Sequence, residues 1–181
     1  VPALLNFTMG AHSLSMACTT GGIKTILTSR KFIAVGRLDS LLEKLAENRQ
    51  VIYFEDIAKN ITMRHKIAAF LPASQSAISP YDPAVVLFTS GSEGSPKGVV
   101  LSHANLLSNI AQVGARLSYN RQDIVFNCLP MFHSFGLTGG TLLPVLSGVK
   151  SFLYPNPLHI RIIPELVYST NATIMFGTDT F

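Results

Sequence analysis

TSGSEGSPKG, residues 89–98, follows the apolar run Val85-Val86-Leu87-Phe88 and leads through Val99-Val100-Leu101 to Ser102, His103 and a helix-like segment. Glycine at 91, 94 and 98 lets the backbone turn tightly and approach a ligand closely, because no Cβ intervenes. The hydroxyls of Thr89, Ser90 and Ser92 and the free amides can donate to phosphate oxygens, and Lys97 adds a full positive charge. A loop of this make-up between a strand and a helix suits a polyphosphate. It is not the common GxxxxGK[ST] pattern, because Pro96 stands directly before the lysine and Gly98 after it. The alternative is a flexible Gly/Ser surface loop in which Lys97 is merely solvated.

Outward from the loop, strand and helix signals alternate. Residues 1–22 read as a short apolar entry and a small-residue helix stopped by Gly21-Gly22. Strands are predicted at 23–28, 51–54, 123–129, 149–154 and 173–176, from their β-branched and apolar character. Helical spacing puts Leu38, Leu41, Leu42 and Leu45 on one face, and Asp56 is expected to cap a helix reaching Phe70. Ser102 is expected to cap a helix to about Leu117 that buries Leu106, Leu107, Ile110 and Val113. An apolar, glycine-containing helix follows Gly136 up to Ser147, and a helix over 158–169 is interrupted near Pro164. The alternation predicts an α/β fold, a doubly wound, mainly parallel sheet with flanking helices.

Composition narrows the functional classes. Of 181 residues, 48% are hydrophobic and only 13% charged, which allows a large core and excludes disorder. The net charge of +4 comes from scattered lysines and arginines, so no nucleic acid partner is expected. Cys18 and Cys128 fit no metal spacing and read as buried, reduced thiols; no metal site is expected from protein side chains alone. No run of about 18 apolar residues occurs, so any membrane contact would be peripheral. No signal peptide is evident, and a chain opening on Val1 is expected to be a piece of a longer one.

The loop closely resembles the phosphate-binding loop of the adenylate-forming (AMP-binding) enzymes. FTSGSEGSPKGVVLSH at 88–103 is similar to one branch, the bacterial bifunctional 2-acylglycerophosphoethanolamine acyltransferases/acyl-[acyl-carrier-protein] synthetases. VPALLNFTMG, GGIKTILTSRKF, LPMFHSFGLTGG, PNPLHIRIIPEL and FGTDTF resemble it in the same order. The resemblance implies part of a large N-terminal adenylation domain spanning 1–181, without the C-terminal lid or an acyltransferase domain. It implies ATP and Mg2+ as cofactors, with a fatty acid and an acyl-carrier protein as partners. In the parent protein it adds a lysophospholipid, at the cytoplasmic face of a bacterial inner membrane.

The same resemblance assigns Thr89, Ser90, Gly91, Ser92, Glu93, Gly94 and Lys97 to the nucleotide. Glu93 would point away from phosphate, hold the loop through a hydrogen bond, or meet magnesium. His133 would line the acyl site near the reacting carboxylate, the alternative being a satisfied core histidine. Phe135, Gly136 and Leu137 would border the acyl channel or belong to the core. His103 would cap or underpin its helix; His12, His65 and His159 suggest no partner. No His-x4-Asp acyltransferase signature occurs. The later superfamily motifs find no place here, so the stretch alone is expected to lack full adenylation activity. Two readings compete with the first: a long-chain acyl-CoA synthetase, and a catalytically silent nucleotide- or carrier-binding module.

Overall fold

The computed structural model describes residues 1–71, 77–90 and 95–178, and only the backbone of Ser90. They fall into two compact units: Val1–Asn6, Pro80–Phe88 and Val99–Phe181 form the first, Phe7–Ser79 and Thr89–Gly98 the second. The strands are β1 (Ala3–Leu4), β2 (Thr25–Thr28), β3 (Gln50–Tyr53), β4 (Pro83–Ser90), β5 (Pro96–Ser102), β6 (Ile124–Asn127), β7 (Lys150–Leu153) and β8 (Ile174–Met175). The helices are α1 (Ala11–Thr20), α2 (Arg30–Gly36), α3 (Asp39–Ala46), α4 (Phe54–Lys59), α5 (Met63–Ala68), α6 (His103–Gly114), α7 (Ser134–Leu137), α8 (Leu143–Ser147) and α9 (Ile163–Ser169).

Strand orders are β1-β4-β5, β2-β3 and β7-β6-β8. β1 with β4, β2 with β3, and β6 with both β7 and β8 pair in parallel, with helices in the crossovers. This is the expected α/β arrangement of parallel strands and flanking helices.

In the first unit, β6 lies between two strands and is covered on both faces, which explains its nearly unbroken apolar sequence. Phe126 is fully buried and packs with Cys128 and Ile163 against Phe152, Tyr154, Leu166 and Val167. Its ring stacks on Phe152 at 5.4 Å. A second cluster joins Val85 and Leu87 of β4 to Leu137 of α7, with Leu101 and Leu106 against it. The strand that leads to the glycine loop and the helix that follows His133 therefore share one core.

In the second unit, β2 alternates exposed and buried residues, so one face of the β2-β3 pair meets solvent. Leu14, Ala17 and Cys18 of α1, Ile26 and Thr28 of β2, Ile33 of α2 and Leu45 of α3 are among its buried residues. Both cysteines are free and buried, and burial pushes each thiol above its ordinary value.

Several boundaries differ from expectation. The helix predicted from Asp56 to Phe70 is two helices, because Thr62 opens a new one. The Thr62 side chain accepts from the His65 N–H, and Nδ1 of His65 accepts the Thr62 N–H at 3.1 Å. Asp56 is not a cap; it holds Arg30 through two hydrogen bonds of 2.9 and 2.7 Å. α2 was not anticipated, although Ser29 caps it by accepting from the Phe32 N–H. α6 ends at Gly114, and Leu107 on it is exposed. Pro164 sits in the first turn of α9 rather than interrupting a longer helix, since a first-turn proline forfeits no helical hydrogen bond.

Candidate active site

The glycine loop is approached from both sides by strands. β4 delivers Thr89, whose side chain is exposed, immediately after the buried Phe88. β5 begins at the buried Pro96, with Lys97 exposed beside it. Proline is tolerated as the first residue of an edge strand, where no ladder N–H is required of it. That geometry accounts for the Pro-Lys-Gly ending and directs Lys97 to solvent. A threonine hydroxyl and a lysine ammonium thus frame the loop, a donor set that suits phosphate oxygens. Gly91, Ser92, Glu93 and Gly94 lie outside the described residues.

Beyond the loop, Ser102 caps α6 as expected. Its Oγ accepts the Asn105 N–H at 3.2 Å, while the Asn105 side chain accepts the Ser102 N–H at 3.0 Å. His103 opens the helix, and its backbone N–H donates to the Asp82 carbonyl at 3.3 Å.

His133 stands in the first unit, at the N-terminal boundary of α7. Its backbone N–H donates to the Pro130 carbonyl at 3.1 Å, and its own carbonyl accepts the Leu137 N–H at 2.9 Å. The imidazole is exposed and lies against the Phe132 ring, 4.7 Å between centroids. It is therefore not a core histidine. Gly136 makes this turn possible: a Cβ there would collide with the Pro130 carbonyl. Gly136 and Leu137 are buried, so they belong to the core beneath the turn, whereas Phe135 faces outward.

Past α7 the backbone widens into a π-helical turn, Thr138–Leu142, before α8 resumes. Such turns disrupt the regular ladder and leave carbonyls to be satisfied otherwise. Thr138 Oγ1 donates to the Ser134 carbonyl at 2.7 Å and Thr141 Oγ1 to the Gly136 carbonyl at 2.9 Å. Asn127, buried at the end of β6, places Nδ2 3.4 Å from Thr141 Oγ1 and accepts the Leu129 N–H at 3.0 Å. A side chain at Gly140 would strike the Asn127 amide. Asn127, Thr141 and Gly140 thus lock the His133 turn to β6. Sequence reasoning passed over all three; the signal was an asparagine within the apolar run IVFNCL.

A cleft of about 470 Å³ opens in the same unit between α6 and the helix after His133. Its wall includes Leu101, Leu106, Val113, Phe135 and Phe176, with Ser134 and Asn109 as polar members. Phe135 and Phe176 meet edge to face at 5.6 Å, and Gly139 leaves room beside both rings. That volume is typical of a small-molecule pocket of ~300–1,000 Å³.

His159 has both ring nitrogens engaged: Tyr154 Oη is 2.7 Å from Nδ1, and Asn156 Nδ2 is 2.9 Å from Nε2. Among the described residues no cluster of three His, Cys, Asp or Glu gathers.

The chain belongs to the AMP-binding enzyme family, which it matches over residues 1–181. It is similar to the acyl-CoA ligase SID4 of Ajellomyces capsulatus, 41% identical over 106 residues, covering 59% of this chain and 18% of that ligase. The mitochondrial medium-chain acyl-CoA ligase ACSF2 of Rattus norvegicus is 33% identical over 111 residues, with the same two coverages. The medium-chain-fatty-acid–[acyl-carrier-protein] ligase TtuA of Teredinibacter turnerae is 35% identical over 78 residues, 43% of this chain and 12% of that protein. The chain thus spans under a fifth of the length of these relatives.

Among solved structures, the O-succinylbenzoate coenzyme A synthetase of Bacillus subtilis, in complex with ATP and magnesium ion, superposes with a TM-score of 0.78 at 20% identity. The match covers 98% of this chain and 34% of that one. McyG A-PCP, complexed with phenylalanyl-adenylate, gives 0.77 at 22% identity, covering 97% and 28%. These likenesses establish the fold of an adenylate-forming N-terminal domain.

Proposed function

We propose that this chain is part of an enzyme that activates a fatty acid with ATP and passes the acyl group to a thiol. The observation that carries the reading is the largely apolar cleft beside the His133 turn, in a chain of the AMP-binding family. The alkyl chain would lie against Leu106, Val113, Phe135 and Phe176. His133 would orient the carboxylate through its exposed imidazole.

In the first step a carboxylate oxygen attacks the α-phosphorus of ATP, and pyrophosphate leaves with the electron pair of the broken P–O bond. Thr89, Ser90, Gly91, Ser92, Gly94 and Lys97 would hold the departing phosphates, where fixed donors are most effective. Glu93 would shape the loop. Magnesium would neutralise part of the phosphate charge. In the second step a thiol attacks the acyl carbon and AMP leaves.

We place the acceptor as the phosphopantetheine thiol of an acyl-carrier protein. The product would feed reacylation of 2-acylglycerophosphoethanolamine at the cytoplasmic face of a bacterial inner membrane. Similarity to a carrier-protein ligase and the GSEGSPKG form of the loop support this choice. The names of the acyl-CoA ligases among the relatives favour coenzyme A as the second reading.

The test is fatty-acid-dependent ATP–pyrophosphate exchange by the full-length protein and its Lys97→Ala and His133→Ala variants. Exchange should require fatty acid and fall about 100-fold or more without Lys97, the loss expected for one fixed donor to a leaving group. Supplying carrier protein or coenzyme A then separates the two acceptors. Absence of exchange from the folded full-length protein would refute adenylation.

A further inference from the structure

We infer that residues 63–71 dock on an anionic phospholipid surface. α5 is short, but hydrogen bonds from Phe70 N–H to the Ile67 carbonyl (3.0 Å) and from Leu71 N–H to the Ala68 carbonyl (3.1 Å) carry its turn on to Leu71. At about 100° per residue, Met63, Ile67, Phe70 and Leu71 fall within one arc of about 100°, bordered by Lys66 on one side and Arg64 on the other. A helix whose apolar arc is packed on its own core would bury it. Here Met63 is 69%, Ile67 60%, Phe70 91% and Leu71 65% exposed.

Charge selects the occupant. From Ile57 to Leu71 the chain carries Lys59, Arg64 and Lys66 and no carboxylate. The preceding acids are engaged elsewhere: Asp56 holds the Arg30 guanidinium, and Glu55 accepts the Arg30 backbone N–H at 2.8 Å. An apolar arc with a long cationic side chain on each border suits a bilayer interface. The rings and aliphatic chains enter the acyl boundary while the stems of Lys66 and Arg64 lie along it, their charged heads among phosphates. No helix among the described residues is long and apolar enough to cross a membrane, so this contact is interfacial. The inference rests on the membrane location proposed above, and its test involves no ligase assay, so either can fail without the other.

The sequence contains no tryptophan, so Phe70→Trp in this chain supplies a single reporter at the most exposed position. Vesicles of phosphatidylglycerol and phosphatidylcholine at about 1:2 should shift its emission to the blue and carry the chain down on centrifugation. Pure phosphatidylcholine should do far less. Arg64→Gln and Lys66→Gln should each weaken partitioning about fivefold at low salt, and Ile67→Asn should also reduce it, with far-UV circular dichroism unchanged. Four outcomes would overturn the inference: no shift with anionic vesicles, partitioning indifferent to the two cations, a blue, concentration-dependent emission before vesicles are added (a second copy on this face), or a shift given by an acidic carrier protein and not by vesicles.

Discussion

β6 and β2 are both four-residue strands in parallel pairs, yet they stand in opposite circumstances. β6 has a strand on either side and side chains packed over both faces; Phe126 retains no exposed surface. β2 has one partner, and Leu27 on its outer face is 55% exposed. Strand propensity is similar in the two, so the difference lies in what covers them. The covered strand is also the one whose last residue, Asn127, fixes the His133 turn. The role proposed for His133 needs a support that does not shift, and its turn is mounted on the thoroughly packed β6.

The widest separation of the two strands comes from truncating them. Phe126→Ala should cost about 3–5 kcal/mol through lost burial and the cavity left behind. Leu27→Ala should stay within about 0.5 kcal/mol, as a surface change does. Urea unfolding of each variant checks both, and equal costs would break the comparison. Next comes Gly136→Ala. Its Cβ meets backbone rather than a movable side chain, so the penalty should reach the upper part of the about 1–3 kcal/mol usual for overpacking. Loss of exchange activity in the full-length protein at a temperature where the variant remains folded would sharpen the link between turn geometry and chemistry. Asn127→Ala removes the acceptor of the buried Leu129 N–H and should cost about 1–3 kcal/mol. A neutral result would mean that the turn is held by its glycines alone.

How much of this was legible in the sequence follows from the range of the interactions. The Ser102 cap, the stop at Gly21-Gly22 and the strand at β6 depend on residues a few positions apart, and each left a local signature. The break between α4 and α5 was missed although Thr62 and His65 are only three apart, because histidine is an uncommon partner in a capping box. The Asn127–Thr141 lock spans 14 positions, and the contact of Gly136 with Pro130 depends on a turn whose conformation no periodicity encodes. Lys97 stands out through its charge in a loop rich in glycine and hydroxyls, whereas His133 stands out through motif resemblance alone. What could be added from physics is that both side chains are exposed, His133 on a turn that glycine permits and Lys97 beside a proline that opens an edge strand.

The smallest effect expected belongs to the solvent-facing end of the second unit. There Arg30 spans from the start of α2 to Asp56 in α4, its guanidinium 4.1 Å above the Tyr53 ring. The hydrogen-bonded guanidinium holds the Asp56 carboxyl below its ordinary value of 3.8. A carboxylate depressed in the folded state adds stability that is fully present above its unfolded pKa and is lost as pH falls through the folded one. The pair's contribution should therefore be fully present above about pH 4 and lost as pH falls below it. It should be small even where present, since both side chains are half exposed and salt screens them. Following the Asp56 carboxyl by NMR, Arg30→Gln should return its titration upward toward 3.8. The same change should leave the Phe126 core undisturbed, with methyl and aromatic shifts in the first unit unaltered. Should those shifts move as well, stability in the two units would be coupled, and the contrast between a covered and an uncovered strand could no longer be read from each strand's own packing.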